Sequence, residues 1–193
     1  MFIEGGGSSK LAGVTEENQL LVQAETQQIQ HYISKNNKQA YQIIGNVASV
    51  SSGTNTILHF KNTSPSLLAV FTYIRLQVIS LSGGTALPDV ATYLQIGSDT
   101  LYDSGGVSVN PVNVNLTSAN LADIMAYSNP ITTGSLTEID RLYPINGDQK
   151  VFNKEGSLIL GQNDAIEVRL VTDHTSGLAY TRMSFLMIEP PKI

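Results

Sequence analysis

Three histidines, His31, His59 and His174, are the first side chains a metal site or a general base would draw on. Their spacing does not bring them together: His31 falls in an N-terminal segment, His59 in a strand-like run and His174 in a turn. The pattern predicts ordinary polar or half-buried roles for them. Asp89, Asp99, Asp103, Asp164 and Asp173 are loop carboxylates of the type that binds calcium. None belongs to an EF-hand loop of alternating Asp with a central Gly, and Asp is equally a turn residue. Glu16-Glu17 reads as a solvated face rather than as a glycosidase pair. Gly83-Gly84-Thr85 and Gly105-Gly106 are not followed by the Lys-Ser/Thr of a phosphate loop, so they read as turns. No Gly-x-Ser-x-Gly elbow presents a nucleophilic serine. Tyr73, Tyr93, Tyr102, Tyr127, Tyr143 and Tyr180 are the residues from which a sugar-stacking platform would be built, but there is no Trp and tyrosine is a common strand residue. The expectation is a protein without enzymatic activity, cofactor or metal.

Composition narrows the partners. Of 193 residues, 41% are hydrophobic and 14% charged, against about 25% charged in an average domain. The polar surface is therefore built from Ser, Thr, Asn, Gln and Gly, which cost less than charges to desolvate against another protein. The formal net charge is −5 with no basic run, so no nucleic acid and no anionic membrane surface is expected as a partner. There are no cysteines, which excludes disulfides and thiolate chemistry and fits folding in a reducing cytoplasm. The start of the chain has no basic region followed by an apolar core, so no secretory signal is expected, and no apolar run is long enough for a transmembrane helix.

The elements that would position these residues are strands. The clearest unit runs from Gly156 to Val171: a short apolar strand, turn chemistry at Gly161, Asn163 and Asp164, and a second strand. There Ile166, Val168 and Leu170 alternate with Glu167, Arg169 and Val171. It reads as an antiparallel hairpin with Glu167 on the solvent side. The same grammar predicts strands over 41–48, 56–62, 67–81, 91–97, 107–116 and 178–189, with Pro111 marking an edge or a bulge. The 67–81 run is apolar on both faces at its start, as a doubly covered strand would be. Residues 99–106 read as a tight turn, 117–150 as an irregular crossover with one helical turn or strand over 119–127, and Asn146-Gly147 as a hairpin signal.

Before residue 41 the pattern differs. A Gly/Ser-rich start leads to an apolar-dotted segment in which Ile29, Tyr32 and Ile33 fall at helical spacing, predicting a short helix over Thr26–Lys35 capped by Thr26. Residues 1–40 therefore read as an arm and 41–193 as the β-domain. The expected fold is all-β: an antiparallel, jelly-roll-like β-sandwich with an extended N-terminal arm containing a short helix.

The Gly/Ser start, Lys10-Leu11-Ala12-Gly13-Val14-Thr15-Glu16-Glu17-Asn18-Gln19-Leu20-Leu21-Val22-Gln23-Ala24, Lys38-Gln39-Ala40-Tyr41-Gln42-Ile43 and Leu58-His59-Phe60-Lys61-Asn62-Thr63-Ser64 carry a resemblance. Over its first third the chain resembles small tailed-phage virion proteins that join a short arm to one β-sandwich, among them head decoration (cement) proteins. The resemblance implies a non-enzymatic capsid decoration protein, made in the host cytoplasm and placed on the virion surface. It implies the major capsid protein and neighbouring copies of itself as partners, in a homotrimer. The arm's apolar residues Leu11, Val14, Leu20, Leu21, Val22 and Ile29 are the expected anchors. The alternative is a receptor- or glycan-binding module of a tail fibre or spike, with its contacts in loops 82–89, 98–106 and 117–150.

Overall fold

A strand turns successive side chains to opposite faces, and this rule organises most of the chain. The computed structural model describes residues 2–4, 11–14, 20–21, 38–84 and 92–190, with 2–4, 11–14, 20–21 and 154–156 described as backbone alone. Every regular element among the described residues is a strand; the helix expected over Thr26–Lys35 lies outside them. Near the N-terminus β1 (Phe2–Glu4), β2 (Leu11–Val14) and β3 (Leu20–Leu21) pair in that order. Then come β4 (Ala40–Val47), β5 (Gly53–Asn62), β6 (Leu68–Ser82), β7 (Tyr93–Ser98), β8 (Leu101–Ser104), β9 (Val107–Ser108) and β10 (Val112–Asn113). The remainder are β11 (Ile124–Ser128), β12 (Ile131–Thr133), β13 (Thr137–Leu142), β14 (Gln149–Leu160), β15 (Ala165–Thr172) and β16 (Ser176–Ile188).

Antiparallel sheets pack as a sandwich. One sheet has the order β10-β4-β16-β6-β14, the other β13-β7-β15-β5-β11-β9, and β12-β8 forms a separate two-stranded ribbon. Between the two sheets Tyr41, Ile43, Ile74, Leu76 and Met183 face Leu58, Leu94, Ile96, Ile166, Val168 and Leu170, all buried. Phe60 lies at the centre, edge-on to Phe71 (5.2 Å between ring centroids) and to Phe185 (5.0 Å), with Tyr41 stacked on Phe185. Each such ring stabilises the fold by about 1.5–3 kcal/mol through burial, and the edge-to-face geometry adds to it.

The alternating aliphatics of β15 do face the core, but the expected Gly156–Val171 hairpin does not form. β14 belongs to the five-stranded sheet and β15 to the six-stranded one, so the turn between them is a corner. Apolar faces on both strands are served equally well by pairing side by side or by meeting across the core, and here they meet across it. The corner is held by Asp164, whose Oδ2 accepts from Gly161 N (2.8 Å), and by Asn163, whose N donates to Asn62 O (2.8 Å) from a left-handed conformation (φ 68°). Asn146-Gly147 likewise joins β13 to β14 across the sandwich, with Gly147 at φ 87° and its N–H donated to Val78 O.

Two further expectations change. Residues 99–106 contain β8, which pairs with β12. The strand expected over 107–116 divides at Pro111, whose missing N–H cannot extend a ladder. β9 before it edges the six-stranded sheet and β10 after it edges the five-stranded one, so the edge assignment at Pro111 stands. Of the two alternatives for 119–127, a helical turn or a strand, a strand forms, β11 over Ile124–Ser128.

Candidate functional site

The outer face of the six-stranded sheet, away from the apolar core, gathers the polar side chains with the most chemistry. Register places Gly97, Glu167, His59 and Tyr127 in one cross-strand row on β7, β15, β5 and β11. Directly opposed residues share a face. Glu167 was expected in solvent; it points outward yet is 0% exposed, and His59 is 2% exposed. The cover is the β8–β12 ribbon. Thr100 O lies 3.2 Å from His59 Nε2, and the Tyr102 ring stacks on Tyr127 at 3.9 Å between centroids. Thr56 Oγ1 donates to Glu167 Oε1 (2.8 Å), while Glu167 Oε2 is buried without a hydrogen-bond partner. Burial pushes His59 below the ordinary imidazole range, opposed by the Thr100 carbonyl and the Glu167 charge. A general base needs reach to a substrate as well as a suitable pKa. This pair is sealed, so it reads as a buried polar tie between sheet and ribbon.

Beside it lies an open groove of about 590 Å³ between the Ser49–Thr56 turn and residues 129–134. Its lining is mainly hydroxyl and amide, with Pro130 and Ile131 among it, and its one charged residue is Arg169. Arg169 Nε donates to Gln95 Oε1 (3.0 Å), and Gln95 Nε2 donates onward to Glu138 Oε2. Glu138 in turn pairs with Arg141 at 2.7 Å, which holds its carboxyl below the usual range. The rim is pre-shaped, because Ser51 N donates to Asn55 Oδ1 (2.9 Å) and Asn55 Nδ2 donates back to Ser51 O (2.7 Å). Asn129, at φ 52°, brings the opposite rim in through Asn129 N to Ile57 O. Asn tolerates this left-handed conformation better than most residues.

The root of the N-terminal segment is a third feature. Lys38 is in the left-handed region (φ 54°), and its carbonyl accepts from Asn113 Nδ2 (2.7 Å), Ser118 Oγ (3.4 Å) and Asn120 Nδ2 (3.4 Å). The next two carbonyls are also held, Gln39 O by Met187 N and Ala40 O by Val114 N. The loop making this clamp also carries the two most exposed large apolar residues among the described ones, Leu116 (88%) and Leu121 (87%).

Of the expected arm anchors, Leu11 and Val14 lie on β2 and Leu20 and Leu21 on β3, brought together by the pairs Val14↔Leu20 and Gly13↔Leu21. Val22 and Ile29 lie outside the described residues, as do His31 and Asp89. His174 is buried in the β15–β16 turn, both ring nitrogens without a hydrogen-bond partner, whereas His59 lies within β5. Among the described residues no group of three or more His, Asp or Glu could hold a metal. The six tyrosines divide between the two outer faces: Tyr73 and Tyr180 on the five-stranded sheet, Tyr93, Tyr102, Tyr127 and Tyr143 about the six-stranded one. The groove uses only 129–134 of the three loops expected to bind. Its key residue, Arg169, was legible only as an outward strand position. Compared with known proteins, the chain matches no family model and no curated sequence.

Proposed function

We propose that the protein is a non-enzymatic structural component of a tailed-phage virion, a decoration protein that binds the major capsid shell through its N-terminal arm. The observation that carries this reading is the pairing of the N-terminal segment with itself, β1-β2-β3, as a unit separate from both sheets of the sandwich. Lys38, which precedes the first strand of the sandwich, is clamped through its carbonyl. An appendage with its own strand edges and apolar residues is equipped to pair with a neighbouring chain. The strand order supports a jelly roll, since β4-β16-β6-β14 opposes β13-β7-β15-β5 with chain neighbours alternating between sheets. The resemblance of the N-terminal motifs adds the capsid surface as location and a homotrimer as assembly. Removing residues 1–35 tests the reading. The truncated chain is expected to keep its strand content and cooperative unfolding but to lose co-sedimentation with virions. A truncated chain that still labels shells would overturn it.

The groove around Arg169 favours a second reading, a receptor- or glycan-binding module of a fibre or spike. A hydroxyl- and amide-lined cleft with one guanidinium fits a carboxylate-bearing sugar. A glycan-array signal abolished by Arg169→Ala, with arm deletion silent, would favour it over the first.

A further inference from the structure

We propose that the outer face of the five-stranded sheet is a docking surface for an acidic, partly apolar protein surface, with Arg75 and Arg182 as its cationic centre. The register places Ile44, Arg182, Arg75 and Val151 side by side in one row on β4, β16, β6 and β14. Like charges directly opposite on neighbouring strands destabilise a sheet, so a chain with only 11 Lys and Arg carries this pair at a cost to its own fold. Among the described residues no ion pair to Arg75 or Arg182 offsets that cost. The ion pairs among the described residues are Arg141–Glu138 and Lys150–Asp148, and Arg75 Nε is buried without a hydrogen-bond partner. None of the paired positions in this row or in the rows on either side is acidic.

The setting is that of an interface centre. Arg75 lies over the Tyr73 ring at 4.7 Å, and Gln42 Nε2 fixes the Tyr73 hydroxyl at 2.9 Å, so the platform is ordered before a partner arrives. Tyr180 stands in the next row. Ile44 and Val151, at 51% and 52% exposure, flank the arginines with apolar surface. Arg and Tyr beside exposed aliphatics are the composition of protein-binding hot spots. Two cations with no acidic cross-strand partner, in a protein of net charge −5, lack the phosphate-neutralising tract that nucleic acid requires. The complement is a pair of carboxylates flanked by aliphatic or aromatic side chains.

The test is selection of a random peptide library on the immobilised full-length protein, followed by affinity measurements on Arg75→Gln, Arg182→Gln and the double variant, with Arg141→Gln as control. Enriched peptides are expected to carry adjacent Asp or Glu beside Leu, Ile or Phe. Their affinity should fall about tenfold for each arginine removed and weaken with salt. Both variants should unfold at temperatures no lower than the parent, because removing either charge relieves the repulsion. Enrichment without acidic bias, undiminished binding to the double variant, or an equal loss in Arg141→Gln would overturn the proposal. Self-association by sedimentation that is lost in the double variant would also overturn it, reassigning the face to a second copy. These outcomes are independent of the arm, so failure here leaves the decoration reading to its own test.

Discussion

Glu167 stands directly across from His59 in the register of β15 and β5, and both are sealed on the outer side of their sheet rather than in the apolar core. An antiparallel sheet that faces water on one side needs no such burial. It arises because the β8–β12 ribbon folds back over the row, setting Thr100 O against the imidazole and Tyr102 on Tyr127. The carboxylate keeps one partner, Thr56. The sandwich thus carries a second, polar layer on one side, which couples the ribbon to the sheet.

That burial makes stability depend on mildly acid pH. His59 is held below its ordinary value of 6.5, chiefly by burial. Between the lowered value and 6.5 the unfolded chain binds a proton that the folded chain does not, so stability falls as pH falls through this window and is fully present above it. Denaturant midpoints should therefore drop as the pH falls through and below 6.5. His59→Gln should flatten the drop. An equal drop in His59→Gln would place its origin elsewhere. The Glu138 carboxyl, lowered by Arg141, is affected only below its ordinary value of 4.5, a separate and more acid window.

At Gly45 the backbone of β4 packs directly on β5. A Cβ there would meet Ile57 O and Leu58 Cβ, both at 2.8 Å. One contact is backbone and the other a buried side chain, so neither gives way cheaply. Gly45→Ala is expected to cost about 1–3 kcal/mol of unfolding free energy by forcing the sheets apart. Gly53→Ala tests a different cause: it has open space around it but sits at φ 106°, so any loss there comes from backbone strain alone.

What the sequence disclosed, and what it did not, follows from the same rule. Period-two alternation tells which face a residue occupies, and Ile166, Val168 and Leu170 on β15, like Met183, Phe185 and Met187 on β16, all face the core as their spacing predicts. It does not tell which sheet a strand joins. Leu158 and Leu160 face inward equally well from beside β15 or from across the core, so the corner at Gly161–Asp164 read as a hairpin. Nor does it tell what covers an outer face. Glu167 alternates as a solvent residue should, and only the ribbon, distant in sequence, buries it. Tyr102 and Tyr127 were legible as types but not as a stack, and Arg169 not as part of a groove lining, because each depends on residues distant in sequence.

The clamp on Lys38 should be measurable as a local effect. Asn113 is buried, donates to Lys38 O at 2.7 Å, and accepts from Asn115 N at 2.9 Å through its Oδ1. Asn113→Ala removes these bonds, and those from Asn113 Nδ2 to Ser118 Oγ and Asn120 O (each 3.3 Å), and leaves a left-handed lysine with weaker support. A loss of about 1–2 kcal/mol is expected, with faster protease cleavage around residue 38 and unchanged amide exchange in β15. Uniformly faster exchange would instead make Asn113 a general stabiliser rather than the hinge pin of the N-terminal segment.

Tyr102→Ala tests whether the ribbon is what seals the polar row. The Tyr102–Tyr127 rings are nearly parallel, 12° apart, on the outer side of β11. The stack contributes about 0.5–1.5 kcal/mol beyond the area it buries. Without it the ribbon should open more often, and water should reach His59. Because burial is the largest cause of the imidazole's lowered value, exposure should raise its titration toward 6.5, followed by the His59 ring signals in NMR. The acid-side loss of stability should shrink in step, because the folded and unfolded values converge. A destabilised variant whose His59 still titrates as in the parent would show that the stack supports the ribbon without sealing the row.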